Sequence, residues 1–147
     1  MLQHEIETER SRKVVLDLMA ALGVGDFERA IELFDEDAVF WVPGRIPFSG
    51  TLHGKREIYE KNFRPSAELT APGTFGIDVS KVIAEGKDVA AEFVFRRKTL
   101  DGRDYANNFF VLFVVENGKI MSMREHLDTQ YAMDMLWPQS GSGPDEN

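Results

Sequence analysis

The stretch from Val82 to Asp128 constrains the fold more than any other part of the chain. Turn glycines recur in it at Gly86, Gly102 and Gly118, sixteen residues apart. An aspartate precedes Gly102 and an asparagine precedes Gly118. Tight turns between twisted strands need a positive φ, so this pattern predicts a meander of antiparallel hairpins. Strands of about twelve residues span about 40 Å, so the sheet of so small a domain must curl, with bulges. A curled sheet can enclose a pocket.

The segments before the meander predict three helices and two short strands. Apolar residues recur at helical spacing from Ile6 to Leu22, and again from Asp26, a suitable helix cap, to Phe34. A third helix is predicted from Lys55 to Phe63, ended by Pro65. Helices followed by a sheet define an α+β domain. We expect one domain over residues 1–137 and a flexible C-terminal tail over 138–147, which is rich in Ser, Gly and Pro.

Composition and charge narrow the possible partners. The 147 residues carry a net charge of −8 without a cluster of Lys and Arg, so no nucleic-acid partner is expected. There are no cysteines, and His4, His53 and His126 stand far apart, so we predict no disulfide and no metal site. No phosphate-binding glycine loop is present, so no cofactor is predicted. The charged N-terminus and the lack of a long apolar stretch predict a cytoplasmic protein that does not enter the membrane.

Three segments carry a resemblance to a known family. They read GDFERAIELFDEDAVFWVP, FSGTLHGKREIYE and FFVLFVVENGKIMSMREHLDT. In these segments and in the order of its elements, the chain resembles the nuclear transport factor 2-like superfamily and, within it, the SnoaL-like branch, up to about Met133. The resemblance implies a cone-shaped α+β barrel, with three N-terminal helices packed on a strongly curved, mostly antiparallel sheet. Because this fold serves isomerases, cyclases, hydrolases, dehydratases and binding modules, it does not define a reaction.

The resemblance carries over few of the acidic residues that enzymes of this fold use. Ketosteroid isomerases use an aspartate base, a tyrosine and a second acid, and the corresponding places hold apolar residues here. Limonene-epoxide hydrolases use an Asp-Arg-Asp relay. One acid place of that relay corresponds to Glu125, whereas its arginine place corresponds to Glu92.

Turn geometry alone leaves the face of the last strand open. Two-residue turns at both Asp-Gly and Asn-Gly would place one set of polar residues on a common face: Glu92, Arg96, Asn107, Arg124, His126 and Asp128. Glu125 would then lie on the opposite, apolar face. A single bulge in the last strand would exchange Glu125 with its neighbours, because a one-residue slip turns every later side chain over. The resemblance favours an inward Glu125.

Four residues are candidates for acid–base chemistry, and each has a structural alternative. Glu125 is either a buried acid with a raised pKa, suited to proton transfer, or a salt-bridge partner. Glu92 has the same two interpretations, with the salt bridge favoured. His126 and Asp128 could form an oriented histidine base, but we expect them to anchor the end of the last strand. The expected pocket walls are Trp41, Tyr59, Phe63, Val94, Asn107, Phe109, Met123 and Leu127.

The strand from Tyr105 to Val115 predicts an assembly. It contains no charged residue, so we expect it to be buried on both faces. Helices can cover only one face of the sheet, and a second copy of the chain would cover the other, which predicts a homodimer through the sheet face. The segment from Tyr131 to Trp137 is the competing cover.

The sequence therefore predicts a domain with an apolar pocket for a small hydrophobic molecule. The expected activity is cofactor-free acid–base chemistry of the cyclase, isomerase or dehydratase type. The alternative is a non-catalytic ligand-binding or dimerisation module of the same fold.

Overall fold

The structure, a computed structural model, describes residues 2–138. Its helices are α1 (Leu2–Leu22), α2 (Phe27–Ile31), α3 (Lys55–Ile58), a π-helical turn (Tyr59–Phe63), α4 (Arg64–Glu68) and α5 (Thr129–Leu136). Its strands are β1 (Phe34–Val42), β2 (Gly50–His53), β3 (Gly76–Glu85), β4 (Asp88–Lys98), β5 (Asp104–Glu116) and β6 (Lys119–Leu127). The predicted α+β fold is confirmed.

The six strands form one sheet in the order β2-β1-β6-β5-β4-β3. Every neighbouring pair is antiparallel except β1 and β6, which run parallel. The turns of the meander contain Gly86, Gly102 and Gly118 with φ values of 60°, 87° and 77°, as the glycine pattern predicts. The sheet is curved, and α1 packs against its inner face with Val15, Leu18 and other buried residues.

The predicted helices are present, although α1 already begins at Leu2 and the ends of the other two lie elsewhere. Asp26 caps α2 by accepting a hydrogen bond from the Arg29 backbone N–H at 3.1 Å, but α2 ends at Ile31 and Phe34 begins β1. Pro65 does not end the third helical segment, which continues to Glu68. Pro65 lies where the π-helical turn passes into α4, and its fixed φ is compatible with a helical backbone.

A bulge in β6 sets the face of Glu125. The Asn117-Gly118 turn is a two-residue turn as predicted, since Glu116 pairs with Lys119 and Val115 with Ile120. The register then shifts, and Val114 pairs with Ser122, so Met121 is the extra residue. Beyond this point Val111 pairs with Glu125 instead of Arg124, which turns Glu125 to the inner face.

The Asp101-Gly102 turn differs from the prediction. Lys98 pairs with Asp104, so a five-residue loop (99–103) closes this hairpin instead of a two-residue turn. The Thr99 hydroxyl organises the loop, because it accepts from the Arg103 N–H at 2.9 Å and also contacts the Asp101 carboxylate. The odd loop length moves the β4–β5 register by one residue. Asn107 therefore faces inward, away from Glu92 and Arg96, and the predicted common face is corrected.

The last helix closes one end of the fold. Its N-cap is Asp128, whose carboxylate accepts from the Tyr131 N–H at 2.9 Å. Of the tail predicted over 138–147, residues 139–147 lie outside the described part of the chain. Within residues 2–138, no helix has the length and apolar character needed to cross a membrane.

Candidate functional site

A cavity of about 50 Å³ lies between the inner face of the sheet and the elements that close its end. Strands β4, β5 and β6 form its floor, the helical segment 59–68 forms one side, and the loop 43–49 and α5 form the cover. At about 10–15 Å³ for each water molecule, the space fits roughly four waters, or a molecule of similar size. The lining is mostly apolar, but five polar side chains interrupt it: Asn62, Ser66, Arg97, Tyr105 and Glu125.

The cover of the cavity is held by local contacts. In the loop 43–49, the Ser49 hydroxyl donates to the Pro43 carbonyl at 2.6 Å and accepts from the Ile46 N–H at 2.9 Å. This turn presents Ile46 and Phe48 to the cavity. The Phe48 ring meets the Trp137 ring edge-on at 5.0 Å between centroids, which joins the loop to the end of α5.

Arg97 supplies the cation of the site. It is only 6% exposed, and its Nη1 donates to the Ser66 carbonyl at 3.2 Å, the Ser66 hydroxyl at 2.6 Å and the Thr70 hydroxyl at 3.1 Å. Its guanidinium carbon lies 4.9 Å from the ring centroid of Tyr105 and 5.2 Å from that of Phe95. Burial lowers the pKa of Arg97, but a guanidinium keeps its charge because its ordinary pKa is so high. The Arg97 Nε is buried without a hydrogen-bond partner.

Tyr105 is fixed by a buried amide. The Asn107 Nδ2 donates to the Tyr105 hydroxyl at 2.9 Å and to the Asp128 carbonyl at 3.1 Å, while its Oδ1 accepts from the Asp128 N–H at 3.3 Å. The Tyr105 ring also stacks on Tyr131, with centroids 5.1 Å apart. Burial raises the pKa of Tyr105, so its hydroxyl stays neutral near pH 7. Asn107 thus ties β5 to the start of α5 and orients the hydroxyl of Tyr105.

Glu125 supplies the acid of the site. Its side chain lines the cavity, and its carboxyl makes no hydrogen bond or ion pair with a described residue. Burial raises the pKa of Glu125 to about 8, and the nearby charge of Arg97 lowers it in part. The neutral form of Glu125 therefore predominates at pH 7. Glu125 keeps some accessible surface although its carboxyl is desolvated, because that side chain borders the cavity.

Asn62 lies in the π-helical turn. It is 9% exposed, lines the cavity, and its side-chain amide makes no hydrogen bond within residues 2–138. Its neighbour Phe63 packs instead into an aromatic cluster with Phe27 and Phe34, at 5.6 Å between centroids in both cases. A π-helical turn shifts the faces of a helix and is frequent at functional sites. Here it allows Asn62 to line the cavity while the next residue, Phe63, packs in the core.

Several predicted site residues lie on the outer face of the sheet, away from the cavity. Glu92 is exposed opposite Phe110 and accepts a hydrogen bond from the Ser80 hydroxyl at 2.9 Å. Val94 pairs with the exposed Asn108 on the same face. Their predicted places in the site are corrected, and the cause is the β4–β5 register.

Trp41 and His126 also lie on the outer face. The Trp41 ring contacts His126 edge-on at 5.5 Å and lies 4.2 Å from the guanidinium carbon of Arg124. His126 is exposed and pairs with Phe110. The β6 bulge that turns Glu125 inward turns its neighbour His126 outward. Trp41 points outward because its neighbours on β1, Phe40 and Val42, point into the core.

The other predicted residues divide between the cavity and the rest of the protein. Phe109 and Leu127 line the cavity, whereas Met123 is buried in the core without reaching it. Tyr59 lies at a separate surface groove with Lys55 and is corrected as a pocket wall. Three further predicted site residues do not line the cavity. Phe63 lies in the aromatic cluster, Asn107 lies behind Tyr105, and Asp128 caps α5.

Four cavity residues are absent from those predicted from the sequence: Arg97, Tyr105, Asn62 and Ser66. One signal was available for Arg97, because Phe93 and Phe95 already defined an apolar face of β4 and Arg97 continues their period of two. Among the described residues no group of three or more His, Asp or Glu is placed to hold a metal ion.

These features define a class of protein: a curved sheet packed against helices, with a small, partly polar cavity between the sheet and its cover, as in the nuclear transport factor 2-like fold. The sequence model of the SnoaL-like domain family matches residues 15–123, and the chain belongs to this family. A comparison with the curated proteins finds no match.

Solved structures agree with this assignment. Bal32a, from a soil-derived mobile gene cassette, is 28% identical, with a TM-score of 0.76 over 89% of this chain and 98% of its own. An NTF2-like protein from Anabaena variabilis is 27% identical, with a TM-score of 0.72 over 83% of this chain and 90% of its own. A Bacillus subtilis protein named as a candidate isomerase shares the fold at 21% identity, with a TM-score of 0.72 over 88% of this chain and 98% of its own.

Proposed function

We propose that the domain is a cofactor-free acid–base catalyst of the isomerase or cyclase type, with Glu125 as the group that transfers the proton. One observation carries the proposal: a cavity-lining carboxyl without a protein partner has a pKa of about 8. Proton transfer by a side chain is most effective when its pKa lies near the working pH. The family of the chain and the candidate isomerase among its structural neighbours support the same reaction class.

The resting state of Glu125 at neutral pH is the acid. It donates its proton to a carbonyl oxygen of the bound molecule, and the carboxylate that remains removes a proton from the adjacent carbon. The electron pair of the broken C–H bond forms the C=C bond of an enol, and Glu125 is again protonated. When the enol is conjugated with a second C=C bond, Glu125 donates its proton to the far carbon of this dienol. The carboxylate that remains takes back the enol O–H proton, which restores the carbonyl, shifts the double bond and regenerates the acid, and the result is an isomerisation.

Arg97 assists this cycle through its charge. The carboxylate of Glu125 exists only between the two transfers, and a fixed cation at the same cavity stabilises it, as the lowering effect of Arg97 on the Glu125 pKa indicates. Because Ser66 and Thr70 hold the guanidinium in place, this stabilisation requires little rearrangement. The apolar remainder of the wall excludes water and strengthens the interaction.

The experiment measures α-proton exchange of acetone and 2-butanone in D₂O by proton NMR, with the protein as catalyst. We expect exchange above the buffer rate, a decrease as pH rises through about 8, and a loss of about 10²-fold or more in Glu125→Gln. Glu92→Gln is the matched control, because it makes the same change on the outer face. Exchange at the buffer rate, or equal rates in both variants, would contradict the proposal.

A second candidate is a binding module of the same fold. The observation that favours it is the buried Arg97, whose charge could hold a ligand whether or not Glu125 transfers a proton. Ligand binding that is retained in Glu125→Gln, without proton exchange in the unmodified protein, would favour the module.

A further inference from the structure

We propose that the cavity binds a small carboxylate, held by the free edge of the Arg97 guanidinium, so that the substrates of this domain are small oxo acids rather than neutral hydrophobic molecules. The inference rests on the proposed function only for the role of Glu125. Binding of the carboxylate is argued from Arg97 and the cavity alone.

The first observation is the unused edge of Arg97. All of its hydrogen bonds come from Nη1, which donates to the hydroxyls of Ser66 and Thr70 and to one carbonyl. Nε is buried without a hydrogen-bond partner, and the remaining interaction of the guanidinium is with the Tyr105 side chain beside it. In a planar guanidinium Nε and Nη2 point their N–H groups in parallel, and a carboxylate accepts from such a pair with both oxygens.

The second observation is the charge of the cavity. Within residues 2–138, the titratable residues that line the cavity are Arg97 on β4, Tyr105 on β5 and Glu125 on β6. No carboxylate lies within ion-pair distance of Arg97 in the described structure, although a cation that is buried to this degree is normally paired. Tyr105 and Glu125 are neutral near pH 7, because burial raises the pKa of both. The cavity therefore carries a net positive charge in a chain whose net charge is −8.

The third observation is the size and the remaining lining. A cavity of about 50 Å³ limits the ligand to a very short chain, and Phe95, Phe109 and Leu127 offer apolar contact to it. The unpartnered amide of Asn62 and the neutral carboxyl of Glu125 are available to a second polar group. A carboxylate on Arg97 and a carbonyl near Glu125 describe an oxo acid of a few carbons.

The test compares propionate with propionamide, which have the same number of heavy atoms and differ in charge. Binding is followed by the indole N–H signals of the two tryptophans in ¹⁵N NMR. Trp137 lines the cavity, whereas Trp41 lies on the outer face and serves as an internal control. We expect propionate to shift the Trp137 signal with an affinity at least tenfold above that of propionamide.

Two substitutions on one strand provide the matched comparison. Arg97→Gln should abolish the preference for propionate, whereas Arg96→Gln should retain it, because Arg96 is exposed and pairs with Asp78 on the outer face. Equal binding of the acid and the amide, the absence of binding by either, or a preference that survives Arg97→Gln would overturn the proposal. The first two results need only the unmodified protein, so they decide the matter even if Arg97→Gln does not fold.

The pH dependence separates this inference from the proposed function. Ionisation of Glu125 would place a second negative charge beside the ligand, so affinity for propionate should fall as pH rises through about 8. In Glu125→Gln the affinity should not change over this range. A failure of proton exchange would leave these binding results intact, and a failure of carboxylate binding would leave exchange of neutral ketones intact.

Discussion

A buried acid such as Glu125 affects stability as well as chemistry. An unfolded glutamate loses its proton near pH 4.5, whereas folded Glu125 retains it to about pH 8. Between these values the folded state binds more protons than the unfolded state, so the free energy of unfolding falls as pH rises. The destabilisation that burial of Glu125 causes is absent below about pH 4.5 and reaches its full size above about pH 8.

We therefore expect Glu125→Gln to gain stability relative to the unmodified protein as pH increases from 5 to 8, by about 2 kcal/mol or more. Urea unfolding at several pH values measures the difference. Glu92→Gln is the control, since that exposed residue should alter the pH dependence little. A constant difference between Glu125→Gln and the unmodified protein over this range would show that the Glu125 pKa is close to its ordinary value.

At the scale of single elements, Asp128 shows how a polar motif serves structure. His126-x-Asp128 suggested an oriented base, but the two side chains do not meet at the cavity. Asp128 caps α5 with a 2.9 Å hydrogen bond, and α5 covers the cavity through Ala132 and Leu136. The cap thus affects the site only through the position of its cover.

Asp128→Ala should lower the free energy of unfolding by about 1 kcal/mol, because it removes the N-cap of α5. Asp128→Asn should remain close to the unmodified protein, since asparagine caps equally well. Hydrogen exchange of the α5 amides should increase in the alanine variant alone. If both variants lost proton-exchange activity while their helices stayed protected, Asp128 would have to act in the chemistry.

The hairpins show what the sequence could predict. Asn-Gly at 117–118 gave the correct two-residue turn, because both positions adopt positive φ there, 53° and 77°. Asp-Gly at 101–102 lies inside a longer loop that Thr99 and Arg103 close. The Asp-Gly pair by itself does not predict the length of that loop. That single difference moved the β4–β5 register and concealed the inward position of Tyr105. The bulge at Met121 was foreseen as an alternative, but its position depends on the curvature of the whole sheet.

At the scale of the whole molecule, the outer face of the sheet remains uncovered. Phe110 is 49% exposed and Leu112 is 42% exposed in the single chain. The prediction that Tyr105–Val115 is buried on both faces therefore does not hold within one chain. The competing cover is also accounted for, because α5 packs at the cavity, on the inner side of the sheet. We propose that a second copy related by a two-fold axis covers this face.

If the outer face forms the dimer, one charged substitution in it should dissociate the dimer. Leu112→Glu would place two like charges near the axis of a self-complementary interface, whereas a solvated position would tolerate it. We expect a mass near twice 16.7 kDa for the unmodified protein at micromolar concentration and near 16.7 kDa for Leu112→Glu, by light scattering. Val24→Glu, on a more exposed apolar residue between α1 and α2, is the control and should remain dimeric. A mass near 16.7 kDa for the unmodified protein would refute the dimer, and an unchanged mass in Leu112→Glu would place the interface elsewhere.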